Sequence, residues 1–390
     1  MPADPLRLRP EVEALEASLI QQVWEMGFDH PDAIGLWVGE SDVPTPAFIC
    51  EAAARSLTAG STFYTHKRGS PALRRALADY HARLDGIAAD PERITVTSSG
   101  MTGIGLLFSA MLPARARIVI VSPIWPNVVA AAKLACAEVV DLPLDRLPQG
   151  GFHLDLDRLE DLLRGGDIHA VFFASPANPT GWMAEAAELE ATHALCRRYG
   201  AWAIADEVYQ RFTYDRPHAP SILTYAEPGE PVVAVHSFSK SWAMTGWRVG
   251  WLVHPPQIGT QLGNLIEYST SGGQAFLQEG CLTAIRDGEP FVAEMVERCR
   301  QGGEIVFQTL SACPRVRVDR PKAAFYSFFA VDGVTDSLAF AKRALVEAGV
   351  GLAPGRAFGT AGEGYLRLCF ASSPARVAEA MSRLRPLLAD

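Results

Sequence analysis

Lys240 is one of five lysines in the chain, with Lys67, Lys133, Lys322 and Lys342, and it lies between Ser239 and Ser241 in the stretch HSFSKSWAMTGWRVGW, residues 236–251. Arg248 follows eight residues later. A neighbouring cation and partial burial lower a lysine pKa and expose the neutral amine, and such an amine attacks an aldehyde. Ser237, Ser239 and Arg248, together with the segment Ser98-Ser99-Gly100-Met101-Thr102-Gly103, carry the donors a phosphate needs. Backbone N–H groups at a helix start form an anion site. On its own the segment also reads as a glycine-rich turn, and the spacing Gly100, Gly103, Gly105 is not GxGxxG, which speaks against a dinucleotide.

Other apolar runs end in polar residues too. Ser122-Pro123-Ile124-Trp125 offers Trp125 to stack on a ligand ring, although most tryptophans are core. In SPANPTG, residues 175–181, the proline after Asn178 holds that backbone extended, so the amide points from a fixed base; a plain turn would look the same. In Asp206-Glu207-Val208-Tyr209 an acid closes a buried run, which is costly unless a cation or donors meet it. A helix N-cap is the other use of Asp206. Each feature alone has a bland reading. Their recurrence at the carboxyl ends of successive runs favours function, because ligands bind there in open α/β sheets.

An aldehyde bearing a phosphate and an aromatic ring would use all of these groups. Lys240 takes the aldehyde, Trp125 stacks on the ring, Asp206 pairs with a protonated ring nitrogen, and Asn178 and Tyr209 hold a ring hydroxyl. The ligand so described is pyridoxal 5′-phosphate, an electron sink that needs such an acid partner.

The elements that must position these residues are legible as periodicity. Ile94–Thr97, Ile118–Val121, Val171–Ala174, Trp202–Ala205, Val232–Val235 and Val249–Val253 are short continuous apolar runs separated by helix-length segments. Continuous rather than alternating runs indicate strands buried on both faces, and the alternation with helices predicts an α/β fold with a mostly parallel sheet covered by helices. Val12, Leu15, Leu19 and Val23 predict an opening amphipathic helix, and 36–46 a short strand leading into a proline-rich turn. Beyond about residue 285 a helix precedes strands of alternating character at 316–318, 326–330 and 365–370. The division expected is a large domain, 41–285, and a smaller α+β domain built from both chain ends, 1–40 and 286–390.

Composition narrows the class. At 390 residues the chain suggests two domains or one large one. A net charge of −9 argues against nucleic-acid or anionic-membrane partners, which need a basic face. The seven cysteines are scattered without a CxxC pair, so free thiols in a reducing compartment are expected and zinc is not. The N-terminus, broken by prolines and acids, reads as no signal peptide, and no apolar run reaches the ~18–20 residues that cross a bilayer. These features predict a cytoplasmic protein.

From about Gly35 to Phe370 the motifs SPANPTG, ADEVY and SFSKSWAMTGWRVGW, in this order, resemble those of the class I/II aminotransferases, fold-type I enzymes of the aspartate aminotransferase superfamily. The resemblance implies a seven-stranded sheet and a pyridoxal-phosphate cofactor joined to Lys240 as an aldimine, with Lys240 then moving the substrate proton. It implies that Asp206 keeps the pyridinium protonated, that Asn178 and Tyr209 bind the phenolic oxygen, and that Arg248, Ser237, Ser239 and the Ser99-Gly100-Met101 backbone hold the phosphate. Tyr64, in FYTHKRGSPALRRAL, matches a tyrosine that reaches the neighbouring subunit's phosphate, which implies a homodimer with shared sites. Arg367, in YLRLCF, matches the arginine that binds the substrate α-carboxylate two-pronged, and Gly39, in LWVGESD, a glycine beside it. Asn178 and Trp125 would also face the substrate.

Two departures bear on the substrate, expected to be an amino acid and a 2-oxo acid. Trp125 stands where many relatives carry tyrosine, which preserves stacking. Met101 stands near a lysine found in some aspartate-using relatives, which favours an apolar or uncharged substrate side chain. Lys67 and Arg68, next to Tyr64, could supply a cation across the dimer interface, which leaves an acidic substrate open. A β- or γ-eliminating lyase would share this machinery, and the remote alternative, an effector-sensing regulator, would share the fold but carries an N-terminal DNA-binding domain, whereas only about 35 residues precede the family match here.

Overall fold

The structure, a computed structural model, describes residues 8–389. Its main sheet has seven strands in the order Ile94–Thr97, Gly250–Val253, Val232–Ser237, Trp202–Asp206, Ile168–Ala174, Arg117–Ser122, Glu138–Pro143. All neighbours pair in parallel except Gly250–Val253, which runs antiparallel to both strands beside it. Ile94–Thr97, Val232–Ser237 and Gly250–Val253 are buried at every position, as strands covered by helices on both faces must be.

All six expected runs are strands of this sheet. The seventh strand, implied by the resemblance but not located in the sequence, is Glu138–Pro143. It is an edge strand whose Glu138 and Asp141 are exposed, so it lacks the continuous apolar signature of the interior strands. The covering helices begin on side-chain caps: Ser70 accepts from Leu73 N–H at 3.2 Å for Pro71–Asp85, and Asp155 accepts from Arg158 N–H at 2.9 Å for Leu156–Arg164. Gly86 and Gly200, both left-handed, close Pro71–Asp85 and Ala186–Tyr199.

A second, antiparallel sheet orders Val316–Arg317, Tyr326–Val331, Tyr365–Cys369 and Ala353–Pro354. Helices Glu289–Ser311 and Pro374–Ala389 pack together beside it, and its residues share one hydrophobic cluster with them. Tyr326–Val331 is buried at every position, so the expected alternation does not hold: this strand is covered on both faces.

The N-terminal segment departs from expectation in two places. In place of one helix there are Pro10–Glu13 and Leu19–Met26, because Ser18 starts a new helix by accepting from Gln21 N–H at 3.3 Å. The strand expected at 36–46 is Ile34–Gly35, paired in parallel with Val350–Gly351, and 36–46 itself is irregular. Pro44 and Pro46 have no N–H to offer a ladder. Among the described residues no helix is long and apolar enough to cross a membrane.

Candidate active site

The reversed strand explains why one edge of the sheet collects so many functional groups. The carboxyl ends of the parallel strands deliver Asp206 and Ser237 to this edge, with Ala174 level with Asp206. Because Gly250 pairs with both Thr97 and Ser237, the amino end of the antiparallel strand lies there too. The connection 238–249, with Lys240 and Arg248, therefore crosses the same edge. A Cβ on Gly250 would stand 2.5 Å from Gly100 N and 2.7 Å from His236 O, so only glycine lets the start of helix Gly100–Met111 pack this closely.

A cavity of about 330 Å³ opens at this edge. Twelve of the fourteen residues singled out in the sequence line it; Ser99 and Tyr64 do not.

Lys240 reaches across the cavity floor, its Nζ donating to Gly39 O at 2.6 Å. Burial lowers its pKa to about 8, and the charges of Arg367 and Arg248 push the same way against Cys369 and Glu40. Gly39 has no room for a side chain, because a Cβ would collide with the Tyr326 hydroxyl. That hydroxyl bonds the Tyr209 hydroxyl at 2.6 Å. Burial and Tyr326 hold Tyr209 well above the usual phenol range, so both are neutral phenols. One shared hydrogen bond uses one of their two protons and leaves the other for a ligand oxygen.

Asp206 ends its strand with one described donor, Val208 N–H at 3.2 Å. Burial raises its pKa to about 6, opposed by that hydrogen bond and by Lys240. The helix-cap reading fails here, since residues 208–211 form a turn and no helix follows. No ion pair is found for Asp206 among the described residues, so a bound cation would satisfy it.

Arg367 presents the opposite deficit. It is 2% exposed, donates through Nη1 to Asn178 Oδ1 at 3.2 Å and through Nη2 to Trp37 O, and its buried Nε has no partner. Its guanidinium stands 4.7 Å from the Tyr326 ring and 5.1 Å from that of Phe358. A buried guanidinium that meets no carboxylate is poised for an anion.

At the other end Ser237 Oγ donates to Ser239 Oγ at 2.9 Å and accepts from Ser239 N–H at 3.1 Å. Ser99 lies behind them at φ 129°, a region rare outside glycine, and its Oγ accepts from Thr102 N–H at 3.0 Å. Arg248, left-handed at φ 54°, is exposed and donates to Thr245 O at 2.7 Å. These donors suit a phosphate. Trp125 and Met101, both partly buried, form the wall beside them.

Neither cation considered for an acidic substrate lines the cavity of its own chain. Arg68 is 7% exposed and its guanidinium is held by Glu92, Thr95 and Ile94 O, at the far end of the strand Ile94–Thr97. Lys67 donates to Asn264 Oδ1 at 2.8 Å. Tyr64 is 92% exposed, with Phe63 at 84% and Tyr268 at 90%.

Sequence reasoning missed Tyr326, Trp37 and Glu40 as lining residues. Tyr326 opens a largely apolar strand, YSFFAV, and carries no local signal, whereas Trp37 and Glu40 flank Gly39 closely enough to have been named with it.

The family described as aminotransferase class I and II matches residues 31–384. An aspartate aminotransferase of Pyrococcus horikoshii is 32% identical over 378 residues, 96% of this chain and 95% of that protein. An arginine–pyruvate transaminase of Pseudomonas aeruginosa is 32% identical over 90% of this chain and 88% of its own. The solved structure of Thermus thermophilus aspartate aminotransferase with maleate superposes with a TM-score of 0.90 at 30% identity, covering 98% of this chain and 100% of that one.

Proposed function

This chain belongs to the class I and II aminotransferases and is a transaminase, and from that premise we propose that it moves an amino group between an L-amino acid and a 2-oxo acid in the cavity above Lys240, with pyridoxal 5′-phosphate as cofactor. The observation that carries the reading is a set of three unmet demands in one cavity: an amine with a lowered pKa at Lys240, an acid without a cation at Asp206, and a guanidinium without an anion at Arg367. The cofactor fits them, with an aldehyde for the first and a protonated ring nitrogen for the second, while the substrate carboxylate serves the third.

When bound, the cofactor supplies an aldehyde and a ring that takes up the electron pair released at the substrate Cα. The chain supplies the rest. Lys240 would be the nucleophile towards that aldehyde, and its Nζ would hold and move the proton at the substrate Cα. Asp206, ionised above about pH 6, holds the ring nitrogen's proton in place. Tyr209, with Tyr326 behind it, and the amide of Asn178 donate to the ring hydroxyl, and Trp125 stacks on the ring face. Ser237, Ser239, Arg248 and the N–H groups of Ser99, Gly100 and Met101 would hold the phosphate. Arg367 takes the substrate carboxylate two-pronged beside Gly39.

We further propose that two copies share their sites. Arg248 is exposed in the single chain, and Tyr64 lies in an exposed aromatic patch with Phe63 and Tyr268, which a second copy would cover. The cofactor domain is taken as 41–285 and the smaller one as 1–40 with 286–390. Seven free thiols, five of them buried, favour the cytoplasm. Met101 in the wall, and Arg68 committed to Glu92, favour a substrate with an uncharged side chain.

The test is a panel of amino donors against several 2-oxo acids with the purified holoenzyme. A new amino acid formed in step with a new 2-oxo acid supports transamination. Release of ammonia or a thiol without a new amino acid would show elimination instead.

A further inference from the structure

Behind Asp206 lies a buried polar chain to which no step above assigns a role. Glu207, the next residue, is 1% exposed. Its N–H donates to Val235 O at 3.0 Å, and its Oε1 accepts from Ile222 N–H at 2.9 Å. Among the described residues its Oε2 has no hydrogen-bond partner, and neither has Nε2 of His236; the two buried orphans face each other at 3.7 Å. His236 lines the cavity and stacks on Trp251, with ring centroids 5.1 Å apart and planes at 12°.

The neighbouring acid is identified by tautomer logic. Trp251 Nε1–H can only donate, and it bonds His81 Nε2 at 2.9 Å. His81 therefore accepts there and carries its proton on Nδ1, which meets Asp85 Oδ2 at 2.6 Å. Asp85 Oδ1 accepts from Gln210 Nε2 at 2.5 Å. Both oxygens of Asp85 accept, so Asp85 is the charged acid and His81 is neutral.

A second carboxylate charge at Glu207 would then sit between Asp85 and Asp206 with no cation paired to it. The titratable groups facing Glu207 are Asp85 and His81 on helix Pro71–Asp85, His236 on strand Val232–Ser237, and Asp206 on its own turn. We propose that Glu207 is a positioning residue that stays a neutral carboxylic acid at working pH, donating its proton to His236 Nε2 and pinning the turn 206–208 so that Asp206 is the charged acid there. A proton on Oε2 gives both orphans a partner once the two side chains close by roughly 0.5–1 Å. It also fits the direction in which burial, Asp85 and Asp206 push the Glu207 carboxyl, well above the usual range, and the depression of His236 by burial. The pinned turn matters because Val208 N–H is the donor to Asp206.

The proposal rests on the role given to Asp206, and its test is separable from it. Infrared spectra of the holoenzyme at pH 8 should contain the C=O stretch of a protonated carboxylic acid, sensitive to deuterium exchange and absent from Glu207→Gln. Labelling glutamate with ¹³C shifts the same band in the wild type and reads it without any substitution. Glu207→Gln, an isostere of the neutral acid, should retain the acid limb of the pH–kcat profile, whereas Glu207→Ala should displace it and weaken cofactor binding about tenfold. Absence of the band, or Glu207→Gln behaving like Glu207→Ala, overturns the proposal. If Asp206→Ala stays active while the band is present, the earlier reading of Asp206 fails and the protonated state of Glu207 stands.

Discussion

Lys240 Nζ and Gly39 O lie 2.6 Å apart, joining the loop after Val232–Ser237 to the N-terminal segment. The partner is a neutral carbonyl, and among the described residues no carboxylate forms an ion pair with the amine, so burial outweighs the pull of Glu40 and Cys369 towards the charged form. The same contact ties the nucleophile to the glycine placed beside the substrate carboxylate.

Lys240 is protonated below about pH 8 and neutral above it, because its pKa is lowered from the usual 10.5. Covalent capture of an aldehyde by the cofactor-free protein should therefore speed up as pH rises through about 8 and then level off. A midpoint near 10.5 would contradict this. Lys240→Ala should leave no borohydride-fixed cofactor on the peptide 236–251 and should lower turnover by at least ~10²–10⁴-fold, the contribution of proton transfer alone.

Asp206 becomes protonated as pH falls through about 6, and with that its attraction for a cationic ring is lost. Cofactor affinity should fall on acidification through that range. Asp206→Ala should cut kcat by roughly 10²–10³-fold while leaving substrate KM nearly unchanged, the pattern of lost electrostatic stabilisation. Asp206→Glu should retain more activity than alanine. Equal and high activity of the two variants would leave Asp206 without a role.

Tyr64, almost fully exposed, is the residue proposed to serve the other subunit. Losing a phosphate hydrogen bond costs about 1.5–3 kcal/mol, so Tyr64→Ala should bind cofactor about ten- to a hundred-fold more weakly. Mixing it with Lys240→Ala and allowing subunits to exchange creates one site with both residues intact. At limiting cofactor the mixture should outperform both parents. Exchange without recovered activity would show that Tyr64 does not act across an interface.

Gly39→Ala should lower the melting temperature and the activity together, since its methyl would strike the Tyr326 hydroxyl; overpacking of this kind costs about 1–3 kcal/mol. Tyr326→Phe removes the obstructing oxygen but strips Tyr209 of its partner. The double variant should be less destabilised than the sum of the two single changes, because the residues are in contact. Strict additivity, read by thermal unfolding, would argue against the contact.

Much of this site was legible because its strands are short and uniformly apolar, so the polar residue closing each one stood out: Ser122, Asp206 and Ser237 were read this way. Glu138–Pro143 escaped because an edge strand with exposed acids resembles a loop. The triangle of Lys240, Gly39 and Tyr326 escaped for a different reason. It joins segments hundreds of residues apart, and no local pattern encodes that meeting. Arg68, close to Tyr64 in sequence, holds Glu92 in its own chain, a pairing that adjacency alone does not announce. Arg367 was identified through family resemblance, since one arginine in an apolar strand has no signature of its own.

The reversed strand also bears on the order in which the site is assembled. Val232–Ser237 and Gly250–Val253 are adjacent antiparallel partners, so the connection carrying Lys240 and Arg248 closes locally. Asp206 is fixed by parallel neighbours, which need longer crossovers. Contacts of short sequence separation have the lower closure entropy to overcome and tend to form first. In refolding followed by pulsed hydrogen exchange, amides of residues 232–253 should gain protection before those of Ile168–Ala174. A nascent chain would then seat its nucleophile and its phosphate-facing arginine while the acid opposite them is still searching for its place.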